Sequence, residues 1–240
     1  MELTLTLVVA AAIATVVGAV IQGAIGFGIN LVTVPVFALI EPEALPVAAI
    51  LLGLPISITM LLHEHDALDR AGIGWIIVGR IPGTVLGTII VAGASIAVRQ
   101  GLTGVFVVLA SVASVWAPPV PVRRETQVAG GLVSGVTGTA AGIGGPPLAL
   151  LYQRQSGPTI RSTLAASFFF GTLLSLALLA IAGEVEWAQI ALGAILAPFV
   201  IVGSLGGRRF HDQLDRGWIR PAVLLFAAIS GVVVILDAIT

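Results

Sequence analysis

Charge in this chain is confined almost entirely to the gaps between eight long apolar runs. They are Leu3–Ile40, Ala44–Leu62, Ala71–Val98, Gln100–Val122, Thr126–Gln153, Ser162–Gly183, Trp187–Gly207 and Ile219–Leu236, and only Arg80 and Arg220 interrupt them. A helix that crosses lipid needs about 20 such residues. Only 10% of the 240 residues are charged while 58% are hydrophobic, against about 25% charged in soluble domains. Too little polar surface remains to wrap a globule. The fold class expected is an all-α polytopic membrane protein, multi-pass in the cell (cytoplasmic) membrane. With no cysteine, disulfides and thiolate metal sites are excluded, and no basic stripe offers a nucleic-acid surface. Met1–Leu7 lacks a basic n-region, so it reads as the start of the first membrane segment rather than a cleaved signal.

Two runs do not fit a single crossing. Leu3–Ile40 and Thr126–Gln153 are 38 and 28 residues long and carry glycine and proline inside. As helix, 28 residues reach about 42 Å, too long for one ~30 Å core and too short for two crossings. A broken or re-entrant pair of short helices is expected in each. Arginine placement supports this, because cytoplasmic loops collect positive charge. If both odd runs enter and return on one side, Arg70, Arg123, Arg124, Arg154, Arg161, Arg208, Arg209, Arg216 and Arg220 share one face. Arg99 then stands with the acidic loops of Glu41, Glu43, Glu184 and Glu186 on the other. Both termini fall on that second, extracytoplasmic face.

Each half then changes side, so a first repeat over 1–122 and a second over 123–240 are expected to be inverted. At a constant offset of 116, Gly26 meets Gly142, Gly28 meets Gly144, Pro42 meets Pro158, Pro82 meets Pro198, Gly87 meets Gly203 and Gly101 meets Gly217. Chance supplies roughly two such coincidences. Inverted repeats with broken helices in matching places point to a substrate site at the repeat interface, near the bilayer midplane.

The candidate site follows from the breaks. In the first half the segment Gln22, Gly26, Phe27, Gly28 and Asn30 leads to Pro35; in the second, Ser134, Thr137, Thr139, Gly142, Gly144, Gly145 and Pro146 lie in the matching stretch. Glycines at this spacing allow unwound backbone, and a helix starting after each break presents its positive end to an anion. Close packing of small residues is the alternative. Arg80 lies ten residues beyond Arg70, about 15 Å deep if helical. The acidic residues (Glu2, Glu41, Glu43, Glu64, Asp66, Asp69, Glu125, Glu184, Glu186, Asp212, Asp215 and Asp237) all sit in loops or at segment ends. An intramembrane arginine without a carboxylate suits an oxyanion; snorkelling is its bland alternative.

Other polar groups read more plainly. His63, His65 and His211 read as loop residues rather than metal ligands. Arg161 lies at the mouth of its run, where it attracts anions or simply anchors that face. Trp75, Trp116, Trp187 and Trp218 read as interfacial anchors. Without buried aspartates or a spaced nucleophile and base, no enzyme activity is expected, and no cofactor or metal.

The doubled motif, Gly26-Phe27-Gly28 with Pro35 and then Gly135 through Gly142-Ile143-Gly144-Gly145-Pro146-Pro147, resembles the TauE/SafE sulfite exporter family. Gly83, Gly87, Gly203, Gly206 and Gly207 fit the same resemblance, and Ile29 and Asn30 depart from it where more glycine is usual. The resemblance implies a permease for small sulfur oxyanions or organosulfonates such as sulfite, thiosulfate or sulfoacetate. The expected function is a secondary transporter that exports such an anion by alternating access. An anion channel using the same site, or a scaffold without transport, are the other classes. The expected partners are the substrate and the lipid bilayer, with a homodimer as one oligomeric expectation.

Overall fold

A computed structural model describes residues 4–118, 120–209 and 219–239. Glu2, His211, Asp212, Asp215, Arg216 and Trp218, read above as loop or segment-end groups, lie outside the described residues. The described secondary structure is helical. We number the helices α1 (Leu5–Ile25), α2 (Ile29–Ile40), α3 (Val47–Leu51), α4 (Gly53–Glu64), α5 (Arg70–Gly93), α6 (Ile96–Trp116), α7 (Arg124–Ala141), α8 (Gly145–Tyr152), α9 (Gly157–Ile181), α10 (Trp187–Arg209) and α11 (Ile219–Ile239). Among the described residues, seven stretches are long and apolar enough to cross a membrane, the segment Val47–Ala67, which holds α3 and α4, counting as one. Polar caps start several of them. Thr4 accepts from the Leu7 N–H at 3.2 Å, and Asp69 accepts from the Gly72 N–H at 2.9 Å.

Both odd runs are broken, and glycine decides where. α1 ends at Gly26 (φ 92°) and α7 at Gly142 (φ 76°), each turning its N–H back to a carbonyl four residues earlier. Residues with a Cβ avoid this left-handed conformation, so the helix stops there. The two arms are unequal, contrary to the expected pair of short helices. α1 is long enough to cross on its own, with 21 residues, whereas α2 has 12; α7 has 18 and α8 has 8. Nothing between Leu5 and Ile25 interrupts the helix, so the break falls late in each run.

Each short arm doubles back along its long one. The Ser134 hydroxyl donates to the Gly144 carbonyl at 2.7 Å, holding the start of α8 beside the middle of α7. α8 then returns to Tyr152, whose hydroxyl donates to Asp69 at 2.8 Å and accepts from Gln127 at 3.0 Å. That hairpin therefore opens at the end of the molecule where α5 begins. In the first half Gly18 lies directly against the Ile29 backbone, and α2 returns until the Ala38 carbonyl accepts from Gln100 at 2.8 Å, at the start of α6. Since α6 follows the far end of α5, the two hairpins open at opposite ends of α5.

The helices pack in four main pairs. α5 packs on α7 as α10 packs on α1, while α6 pairs with α11 and α4 with α9. The two glycine-lined contacts differ in register. Gly83 and Gly87 of α5 face the carbonyls of Leu132 and Val136, whereas Gly203 and Gly207 of α10 face those of Val16 and Val20. At the sequence offset of 116, Leu132 and Val136 fall on Val16 and Val20, but Gly83 and Gly87 fall on Phe199 and Gly203. α10 is thus displaced along α1 by one helical turn, about 6 Å, relative to α5 along α7.

Candidate functional site

Between the two breaks lies a cavity of about 50 Å³, where a single water needs about 10–15 Å³. It has room for a few waters or one small polyatomic anion. The first break contributes Gln22, Phe27, Gly28 and Asn30 to its wall. From the second come Gly142, Gly144, Gly145 and Pro146. Arg80 enters from α5, and no carboxylate is among the lining residues.

Arg80 is 4% exposed. Its Nη1 donates to the Ser134 hydroxyl at 3.0 Å, and that hydroxyl passes its own hydrogen to the Gly144 carbonyl. The guanidinium is therefore tethered to the second break through one hydroxyl. Its Nε–H has no hydrogen-bond partner. A buried guanidinium N–H left unpaired costs about 1–3 kcal/mol or more, so the site holds an unmet demand for an acceptor. Gly171 of α9 lies directly against the guanidinium, where any side chain would collide with it.

The neutral donors divide differently from the sequence expectation. Asn30 lines the cavity, yet its amide hydrogens go to the Gly142 carbonyl at 2.7 Å and the Ala49 carbonyl at 3.1 Å. It fastens the breaks to each other rather than offering hydrogens to a ligand. The Gln22 carbonyl accepts from the Ile29 N–H at 3.1 Å, which leaves its amide N–H groups for the cavity. Gly142 and Ile143 spend their N–H groups on the carbonyls of Gly138 and Thr137. Pro146 and Pro147 have none, so Gly144 and Gly145 are the amide donors of that wall.

Gly26, Thr137 and Thr139 are not among the residues lining this cavity. Gly26 lies against the aliphatic part of Arg161, an added methyl there falling 2.9 Å from Cγ. The Thr137 hydroxyl is returned to the Val133 carbonyl one turn back, at 3.0 Å. The Thr139 hydroxyl pairs with Ser175 at 2.7 Å and ties α7 to α9.

Sequence reasoning missed the wall supplied by α9. Phe168, Thr172 and Ser175 line the cavity at spacings of four and three residues, one face of a helix. The available signal was a pair of hydroxyl residues beside Gly171 in an otherwise apolar stretch.

The structure thus places a buried cation between two helix breaks, in a chain whose helices are long and apolar enough to cross a membrane. The family model for the sulfite exporter TauE/SafE matches residues 10–234. The chain belongs to the TauE/SafE family. That membership makes it a multi-pass membrane protein of a sulfite exporter family. No curated protein and no solved structure matches the chain.

Proposed function

We propose that this TauE/SafE member is a secondary transporter that exports a small sulfur-containing anion, such as sulfite, thiosulfate or an organosulfonate, by alternating access. The observation that carries the reading is Arg80, a buried cation with an unpaired N–H in a small cavity walled by both breaks. A guanidinium offers the planar fork that an oxyanion accepts. The Gly144 and Gly145 amides and the Gln22 side-chain amide supply further donors to the same space. Arg80 neutralises one negative charge, and a second would rest on these neutral dipoles.

Alternating access is supported by two features of the fold. The hairpins open at opposite ends of α5, as halves inserted upside down relative to each other would place them. The one-turn difference between the α5–α7 and α10–α1 contacts supports an asymmetric state in which one half is open to its solution and the other is closed. Exchange of the two registers, a slide of about 6 Å, would close one side and open the other. We place both termini on the extracytoplasmic face, since the arginines at the start of α5, α7 and α9 then lie in the cytoplasm.

Uptake into proteoliposomes across a panel of sulfite, thiosulfate, sulfoacetate, sulfate and chloride tests the reading, with Arg80→Gln alongside. Saturable flux of one or more sulfur anions with trans-stimulation, lost in the variant, is expected. Flux of every anion including chloride without counterflow would replace the carrier with a channel.

A further inference from the structure

A second pocket, of about 380 Å³, opens at the arginine-rich end of the molecule and is lined by Arg161, Arg208, Arg209, Glu64 and His63. Its lining carries three arginines against one glutamate. Gly23 also lines it while the preceding residue, Gln22, lines the Arg80 cavity. The two spaces are thus separated by the last turn of α1 and the break itself, against which the Arg161 side chain lies at Gly26.

We propose that this vestibule is a second anion site, in which a small oxyanion waits on its way to the Arg80 cavity. Glu64 occupies the Arg161 end of it when no anion is present. The proposal rests on the transporter reading for its purpose, but its chemistry stands on these residues. Glu64 places both carboxylate oxygens on Arg161 Nε, at 2.8 and 2.9 Å. A carboxylate so held is a built-in stand-in for a sulfite or sulfonate group, which presents the same pair of acceptor oxygens. The second cation is not satisfied in this way. Arg208 Nη1 is buried and has no hydrogen-bond partner, so it is not an anchor reaching out to lipid headgroups. A buried N–H donor beside an anion-sized space favours an acceptor in that space.

The opposite end of the molecule has the reverse character. A pocket of about 120 Å³ there is lined by Arg99 with Glu43, Glu184 and Glu186. Clefts lined by one sign of charge concentrate ions of the other sign. An anion is therefore concentrated at the arginine-rich mouth and disfavoured at the acidic one, which places the waiting site at the arginine-rich end.

The test uses radiolabelled sulfite binding to purified full-length protein, in an Arg80→Gln background that removes the inner site. Weak binding is expected to persist there, to tighten about tenfold with Glu64→Gln, and to weaken at least about fivefold with Arg208→Gln. Thermal melting accompanies each variant, and Arg209→Gln serves as a milder second probe of the same pocket. Unchanged affinity in folded Glu64→Gln and Arg208→Gln proteins, or no residual binding in the Arg80→Gln background, overturns the vestibule. Absence of wild-type flux in proteoliposomes with this binding pattern intact would instead overturn the transporter reading and leave the second site standing.

Discussion

The side chain of Asn30 crosses from one helix break to the other, its amide donating to the Gly142 carbonyl at 2.7 Å across 112 positions of sequence. A second hydrogen from the same group reaches Ala49, and Thr33 donates to its carbonyl at 3.1 Å. One amide therefore holds the two unwound segments at a fixed separation, and that separation sets the width of the cavity beside Arg80.

Substituting Asn30 tests this directly. Asn30→Ala strands the Gly142 and Ala49 carbonyls and is expected to cost about 1–3 kcal/mol of stability. Asn30→Asp keeps the shape but turns two donors into acceptors facing carbonyl oxygens, and is expected to be the worse of the two. Melting of the purified variants checks the order; an aspartate variant as stable as wild type would contradict it.

Gly171 is predicted to be as sensitive as the site itself. A methyl group there would displace the Arg80 guanidinium, so Gly171→Ala is expected to lower anion flux by at least about tenfold while the helix it sits in gains intrinsic propensity. The check is flux against melting temperature. Lost flux with retained stability fits the account, and unaltered flux does not.

The glycines of the α5–α7 contact are predicted to act by packing alone. A side chain at Gly83 would meet the backbone carbonyl of Leu132, while Gly74 has open space around it. Gly83→Ala is expected to cost about 1–3 kcal/mol by forcing the helices apart, and Gly74→Ala to be neutral or mildly stabilising. Comparative melting of the two separates them.

The one-turn difference in register predicts a motion with a direction. If α10 adopts along α1 the register that α5 holds along α7, Gly203 moves from Val16 to Val20, away from Leu5. Spin labels at Leu5 and Val202, both exposed in a chain with no native cysteine, are expected to show a second distance about 6 Å longer. A single unchanging distance, with and without substrate, would contradict the slide.

Much of this was legible in the sequence because glycine and charge speak locally. The breaks at Gly26 and Gly142 follow from the left-handed turn that ends each helix, and Arg80 stands out as a charge inside an apolar run. What was not legible depends on partners far along the chain. Asn30 reads as a free donor until Gly142 and Ala49 are placed beside it. Gly171, Thr172 and Ser175 lie in a run that any buried apolar helix could own, and only its packing on α4 and α5 turns that face to the cavity. Thr137 shows the reverse: its residue type suits a ligand, but the carbonyl one turn back takes its hydrogen.

The central claim is that Arg80 is the counter-charge of an anion site between the breaks. Equilibrium binding of radiolabelled sulfite, thiosulfate and sulfoacetate to purified wild-type, Arg80→Lys and Arg80→Gln proteins tests it most directly. Saturable high-affinity binding of at least one anion is predicted, weakened about 30-fold or more in Arg80→Gln and less in Arg80→Lys, with melting temperatures preserved. A folded Arg80→Gln protein that binds the same anion as tightly as wild type would contradict it.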